Sequence, residues 1–188
     1  MNRPSRQRKL FYRLLIAALL ISLGFAATHI GIRALYPVRY ADTVEKYCSE
    51  FNIDPSLAYA VIHTESGFDP EARSEAGAMG LMQIMPETFH WLQGRLEPDT
   101  DLPDDALYNP SVNIRYGVYY LSLLDEMFSD DTLTIAAYHA GQNRVSGWLK
   151  DCEIPESGCT ADDIPSSATG HYVHKVRKAR DFYDALYD

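Results

Sequence analysis

Between Glu65 and Thr88 the sequence reads ESGFDPEARSEAGAMGLMQIMPET, and this segment holds the densest set of residues able to do chemistry. Glu65 ends an apolar helical run and is followed by Ser66-Gly67, where the chain leaves the helix. A carboxyl group at such a junction sits half in the core and half over a cleft. Desolvation there disfavours the ionised form, raises the pKa and leaves a proton available for general acid work. Downstream, Gly77 and Gly80 permit close backbone approach. Gln83 stands between Leu81-Met82 and Ile84-Met85, where an amide is costly to bury without a partner. Either the core or a ligand could be that partner. Asp69, Glu71 and Glu75 are the nearest further acids, and they are expected to be solvated loop residues.

The elements that must position these groups read as helices. Val44, Tyr47, Cys48 and Phe51 recur at helical spacing. Asp54-Pro55 is a helix start, an N-cap acid with proline at the first helical position. The helix it opens carries Leu57, Val61 and Ile62 on its apolar face and runs to Glu65-Ser66-Gly67. Pro86 opens a short helix through Phe89, Trp91 and Leu92 that Gly94 is expected to close, and 95–107 reads as a loop. Asn109-Pro110 repeats the cap-plus-proline signal. Val112 to Phe128 is apolar around most of its circumference, with only Arg115, Ser122, Glu126 and Ser129 as a polar stripe, which marks a buried central helix. Thr132 to Ala140, stopped by Gly141, and Val145 to Leu149 are further helices. Residues 151–168 read as a loop, and Tyr172, Val176, Ala179, Tyr183 and Leu186 mark a final amphipathic helix. No run alternates with period two, so the expected class is all-α. The 13 Tyr, 7 Phe and 2 Trp fall mostly on apolar helix faces, and core packing is expected for them, Trp91 and Trp148 included.

Charge divides the chain in two. Of the 17 Lys and Arg, seven lie in residues 1–40, which hold no acid; the other 148 residues carry 10 basic and 26 acidic side chains, a formal balance of −16. Such an acidic domain is repelled by a phosphate backbone, which argues against nucleic acid as a partner. No zinc-spaced cysteines or histidines, P-loop, G-x-G-x-x-G, H-E-x-x-H or G-x-S-x-G motif occurs, so no metal or cofactor is expected. Leu14 to Ile32 is a 19-residue run without charge behind a basic head, close to the ~20 residues that span a bilayer. Residues 1–40 are therefore expected to be a basic head with a single membrane anchor, its amino terminus inside. A cleaved signal segment is the alternative. Residues 41–188 form the exported domain.

The chemical segment and the stretches beyond it resemble a known family. ESGF, Ser74, Gly77 to Gly80, Leu81 to Pro86 and Thr88 are similar to the signature of lytic murein transglycosylases of the soluble-lytic-transglycosylase type, relatives of goose-type lysozyme. Asn109 to Leu121 resembles the family's NP-x-x-NI-x-x-G-x-x-YL helix, and Ala137 to Gly141, with Val145 and Trp148, its AYNAG segment. Ile164-Pro165, Thr169 and Tyr172-Val173 resemble its closing element. The resemblance covers about residues 41–185. It implies a lysozyme-like α-helical domain that cuts the β-1,4 bond between N-acetylmuramic acid and N-acetylglucosamine in peptidoglycan, as a monomer and without a metal. It also implies Glu65 as the single acid/base, forming 1,6-anhydro ends, with Ser74, Gln83, Met85, Tyr138 and Tyr172 lining the sugar cleft.

His139 stands where the family usually has Asn, and Ala168 where it usually has Glu. The first change is expected to be tolerated, the second to weaken sugar affinity more than catalysis. Two rival readings are a goose-type lysozyme, in which water attacks, and a degenerate wall-binding scaffold. Export favours a disulfide between Cys152 and Cys159, which have six residues between them, with Cys48 a buried free thiol.

Overall fold

The computed structural model describes residues 6–151, 153–155 and 157–187, with side chains from residue 10 onward. Two compact units divide at Pro37/Val38. The described residues of the first form one helix, α1 (Arg6–Leu35). Its Leu10–Leu35 stretch is 26 residues, about 39 Å at 1.5 Å per residue, long and apolar enough to cross a membrane. The large side chains on it, Leu14, Ile16, Leu20, Ile21 and Phe25 among them, are exposed within the unit.

Among its described residues the second unit has seven α-helices: α2 (Ala41–Phe51), α3 (Pro55–Ser66), α4 (Pro86–Leu96), α5 (Pro110–Phe128), α6 (Asp131–Ala140), α7 (Gln142–Lys150) and α8 (Ser167–Tyr187). Among the described residues no strand forms, so the class is all-α, and only two isolated antiparallel bridges join Arg73 to Met79 and Met79 to Ile84. The expected caps are in place. Asp54 accepts from Ser56 N–H at 2.9 Å, and Asn109 accepts from the N–H groups of Ser111 (2.9 Å) and Val112 (3.3 Å). Asp130 caps α6 in the same way through Thr132 and Leu133.

The central helix is α5. Ile114, Tyr116, Val118, Leu121 and Leu124 are buried, while Glu126 and Ser129 face solvent. It packs against α2 on one side and α6 on another, and α3 lies along α8. Three expected boundaries move. Helix α4 runs through Gly94 to Leu96, because buried Gln93 ties the helix to the chain beyond it: its Oε1 accepts from Leu102 N–H at 2.7 Å. That anchor also folds part of the expected 95–107 loop, where Asp104–Tyr108 is a 3-10 turn. Within 151–168, a reciprocal Thr160/Asp163 capping box opens a 3-10 turn at Ala161–Asp163, and α8 begins at Ser167.

Candidate active site

Helix α3 delivers Glu65 in its last turn. Asp54 caps the start, Leu57, Ala58, Val61 and Ile62 are buried, and Gly67 ends the helix in the left-handed region (φ 60°), with its N–H bonded to the His63 carbonyl at 3.1 Å. The buried Tyr172 on α8 donates its hydroxyl to Glu65 Oε1 at 2.7 Å. Burial pushes the Glu65 carboxyl up to about 7; the Tyr172 hydrogen bond favours the carboxylate and opposes this, and burial wins. Among the described residues no second carboxylate contributes to the Glu65 titration, and Asp69, Glu71 and Glu75 are exposed. A lone acid poised near neutrality can give up a proton and take it back.

The loop between α3 and α4 is pinned from below. Asn113, fully buried on α5, accepts from Met82 N–H at 2.7 Å and donates to the carbonyls of Met79 (2.9 Å) and Leu107 (2.8 Å). The fit tolerates no side chain at Gly80, and one at Gly117 would force the Met82 side chain to move. A Cβ on Gly80 would stand 2.2 Å from the Leu107 carbonyl oxygen, and one on Gly117 would stand 2.3 Å from the Met82 sulfur. Ser66 adds a further tie, donating to the Leu81 carbonyl at 2.7 Å.

Gln83 adopts a left-handed backbone (φ 49°), uncommon outside glycine. Its side chain supplies the compensation, since Nε2 donates to the carbonyls of Gly80 (2.9 Å) and Ala72 (3.1 Å). The partner of this amide is therefore the loop itself. Ser74 likewise accepts from Ala78 N–H at 3.0 Å and shapes the turn.

Beyond Gln83 the surface opens into three adjoining hollows. The innermost, about 180 Å³, is lined by Gln83, Ile84, Met85, Tyr138 and His139, and shares Thr88, Tyr120, Ala140 and Gly141 with the next. That one is about 550 Å³ and adds Glu87, Trp91, Gln142, Asn143 and Arg144. A third, about 380 Å³, shares Trp91 and Gln142 and continues to Arg95, Glu126 and Met127. Shared walls make these one groove. Glu65 is not part of the lining. Tyr138 is, and burial, with the nearby Glu65 charge adding to it, holds its phenol well above the ordinary range. Tyr138 is itself fixed by donating to the Met82 carbonyl at 2.8 Å.

Of the residues singled out from sequence, Gln83, Met85 and Tyr138 line the groove, Tyr172 holds Glu65, and Ser74 sits in the turn outside the lining. Trp91 departs from the expectation of core packing: it is 39% exposed, with the Tyr120 ring edge-on at 6.2 Å and the Arg95 guanidinium 5.1 Å from its centroid. Trp91, Tyr120, Gln142 and Arg144 are groove residues that spacing alone did not reveal. His139 stacks on Tyr172 (centroids 4.5 Å, 30°) and hydrogen-bonds Thr169 at 3.2 Å. Ala168 is exposed at the start of α8. Cys48 is a buried free thiol, raised to about 12 by burial and by Asp54 and Glu45. Cys159 is a buried thiol here, and its expected partner Cys152 lies outside the described residues. Among the described residues no group of three or more His, Cys, Asp or Glu stands together as a metal site.

The pattern of the Transglycosylase SLT domain family matches residues 42–156. The soluble lytic murein transglycosylase of Escherichia coli K12 is 35% identical over 155 residues, 81% of this chain and 23% of that protein. The membrane-bound lytic murein transglycosylase C of Actinobacillus pleuropneumoniae is 32% identical over 184 residues, 87% of this chain and 50% of that protein. The crystal structure of the 70 kDa soluble lytic transglycosylase of E. coli superimposes with a TM-score of 0.75 at 31% identity, covering 82% of this chain and 25% of that one. An inactive Glu-to-Gln mutant of lytic transglycosylase Slt from Pseudomonas aeruginosa gives 0.70 at 31% identity, covering 80% and 25%. The chain thus spans a quarter to a half of the length of these relatives.

Proposed function

The chain belongs to the transglycosylase SLT domain family, and on that premise we propose that it is a lytic transglycosylase cleaving the β-1,4 bond between N-acetylmuramic acid and N-acetylglucosamine in peptidoglycan. Residues 41–188 are its catalytic domain. One observation carries the reading: Glu65, half-buried and raised to about 7, has no second carboxylate acting on it among the described residues, and is held by Tyr172 next to a groove. Glu65 begins protonated and gives its proton to the departing glycosidic oxygen. As a carboxylate it then takes the proton of the muramoyl 6-hydroxyl while that oxygen attacks the anomeric carbon. The product is a 1,6-anhydro end, and no water is consumed. A nucleophile borne by the substrate removes the need for a second carboxyl group.

The groove supplies what a glycan strand needs. Trp91, Tyr120 and Tyr138 offer flat faces for sugar rings, Met85 is 40% exposed beside them, and the side chains of Glu87, Gln142, Asn143 and Arg144 offer polar contacts. In this reading His139 acts by packing on Tyr172, and the exposed Ala168 leaves one fewer contact to the strand.

Helix α1 is the anchor that holds the domain as a monomer on the outer face of the cytoplasmic membrane, and of the expected tether, residues 38–43, the last three belong to α2, which leaves 38–40 as the tether. The test of the activity is solubilisation of purified peptidoglycan by the full chain and by Glu65→Gln. The wild type releases soluble muropeptides, and the variant releases none above background. Undiminished release by Glu65→Gln would overturn the assignment. The anchor requires that the chain stay with membranes through an alkaline carbonate wash.

A further inference from the structure

At the other end of the α3/α8 pair lies a hollow that the proposed reaction does not use. It measures about 320 Å³ and is lined by Val38, Glu45, Ser56, Tyr59, Tyr183 and Tyr187, with Pro55 at its edge. Tyr59 precedes Glu65 by six residues on α3, about 9 Å along the helix, and Tyr183 follows Tyr172 by eleven on α8, about 16 Å. The hollow is therefore separate from the groove, although both rest on the same two helices.

Its polar atom is conspicuous. The Tyr59 side chain is only 6% exposed, and its hydroxyl is buried with no hydrogen-bond partner among the described residues. A buried hydroxyl left in that state loses its hydration without compensation, so native proteins rarely keep one without a reason. The surroundings say what would satisfy it. Glu45 is part of the wall, and burial together with the charges of Glu45 and Asp42 pushes the Tyr59 phenol up to about 12. The Tyr59 and Tyr183 rings stack at 5.4 Å, and Tyr183 stacks on Tyr187 at 6.0 Å, giving a run of aromatic surface. A phenol oxygen, a carboxylate and aromatic faces in one recess all favour a cation that can donate hydrogen bonds.

We propose that this hollow is a second binding site, for a primary alkylammonium group that donates to Tyr59 Oη and the Glu45 carboxylate while its alkyl chain lies against Tyr183 and Tyr187. The volume suits a short alkyl chain and is at the lower end for ligand pockets. An anion is disfavoured by Glu45, and a neutral alcohol leaves the carboxylate unneutralised. Two sources carry this chemistry, a free alkylamine and the side-chain amine of a diamino-acid residue within a peptide.

The test is titration calorimetry at pH 7 on the full chain in detergent, with n-butylamine and Nα-acetyl-lysine amide as probes and Nα,Nε-diacetyl-lysine amide as the uncharged control. Both amines bind and the control does not. Tighter binding of the lysine amide assigns the peptide source, and equal binding assigns the free amine. Tyr59→Phe and Glu45→Gln each weaken binding tenfold or more. Because the Tyr59 hydroxyl has no partner among the described residues, Tyr59→Phe leaves Tm unchanged or higher, whereas a structural hydroxyl would lower it. Neither variant alters the solubilisation of peptidoglycan, so failure here is distinct from failure of the proposed reaction. Absence of amine binding by the folded wild type, or equal binding by Tyr59→Phe, would overturn the proposal.

Discussion

Tyr172→Phe tests how the acid is tuned. The Tyr172 hydroxyl donates to Glu65 Oε1 at 2.7 Å and stabilises the carboxylate, against the burial that holds the group at about 7. Removing the hydroxyl leaves burial unopposed. A hydrogen bond to a charged group is worth roughly 1.5–3 kcal/mol, and one pKa unit corresponds to about 1.36 kcal/mol. The Glu65 pKa should therefore rise by about one to two units, to roughly 8–9. The reaction starts from protonated Glu65, so wild-type kcat/KM falls as pH rises through about 7. In Tyr172→Phe that falling limb moves to higher pH. The assay is initial-rate release of soluble muropeptides between pH 5 and 9.5. A merely loosened site would lower the plateau and leave the limb in place. A limb that stays near 7, or moves down, would refute the account of Glu65 as an acid raised by burial and restrained by Tyr172.

Asn113→Ala leaves the Met82 N–H and the Leu107 carbonyl without their buried partner, while the Met79 carbonyl keeps the Ile84 N–H at 3.1 Å. At roughly 1–3 kcal/mol per unsatisfied group, the loss is about 2 kcal/mol or more, and thermal unfolding should show Tm lower by roughly 4–8 °C. Glu65 also links stability to pH. Its folded pKa of about 7 lies above the ordinary 4.5, so its contribution is fully present below about 4.5 and is lost as pH rises through about 7. Glu65→Gln escapes that loss, and its Tm should gain on the wild type between pH 4 and pH 9 by the equivalent of at most roughly 3 kcal/mol; a constant difference across that range would contradict the buried-acid reading. We propose that Cys152 and Cys159 pair in the oxidising exported protein, where closing so small a loop adds roughly 2–3 kcal/mol at most. Alkylation without reductant then modifies Cys48 alone in unfolded chain, and three modified cysteines would exclude the bridge.

The parts of this fold that can be read from sequence are those set by neighbours. Asp54-Pro55 and Asn109-Pro110 announce helix starts because the cap and the first turn lie within three residues of each other. Glu65 is legible for the same reason, since Ser66-Gly67 ends the helix right beside it. What spans distance is not legible. Gln93 grips Leu102 nine residues on, and so carries α4 past Gly94 and folds a turn in an apparent loop. Asn113 reaches back 31 residues to Met82, and although it falls within the Asn109 to Leu121 motif, helical spacing does not mark it as the pin of the loop between α3 and α4. Helical spacing places Trp91 and Tyr120 on apolar faces, but only tertiary packing leaves those faces open as a groove. Gln83 shows the converse: its need for a partner is visible in sequence, and the partner is the pair of carbonyls that fold its own loop around it.

The central claim is that Glu65 alone serves both proton transfers and that the substrate's own 6-hydroxyl is the nucleophile. Mass spectrometry of a borohydride-treated digest of purified peptidoglycan tests it most directly. The account predicts muropeptides that end in 1,6-anhydro-muramic acid, one water lighter than hydrolysis products and untouched by borohydride, and none from Glu65→Gln. Reducible muramic acid termini from the wild type would contradict it, and would make water the nucleophile, as in a goose-type lysozyme.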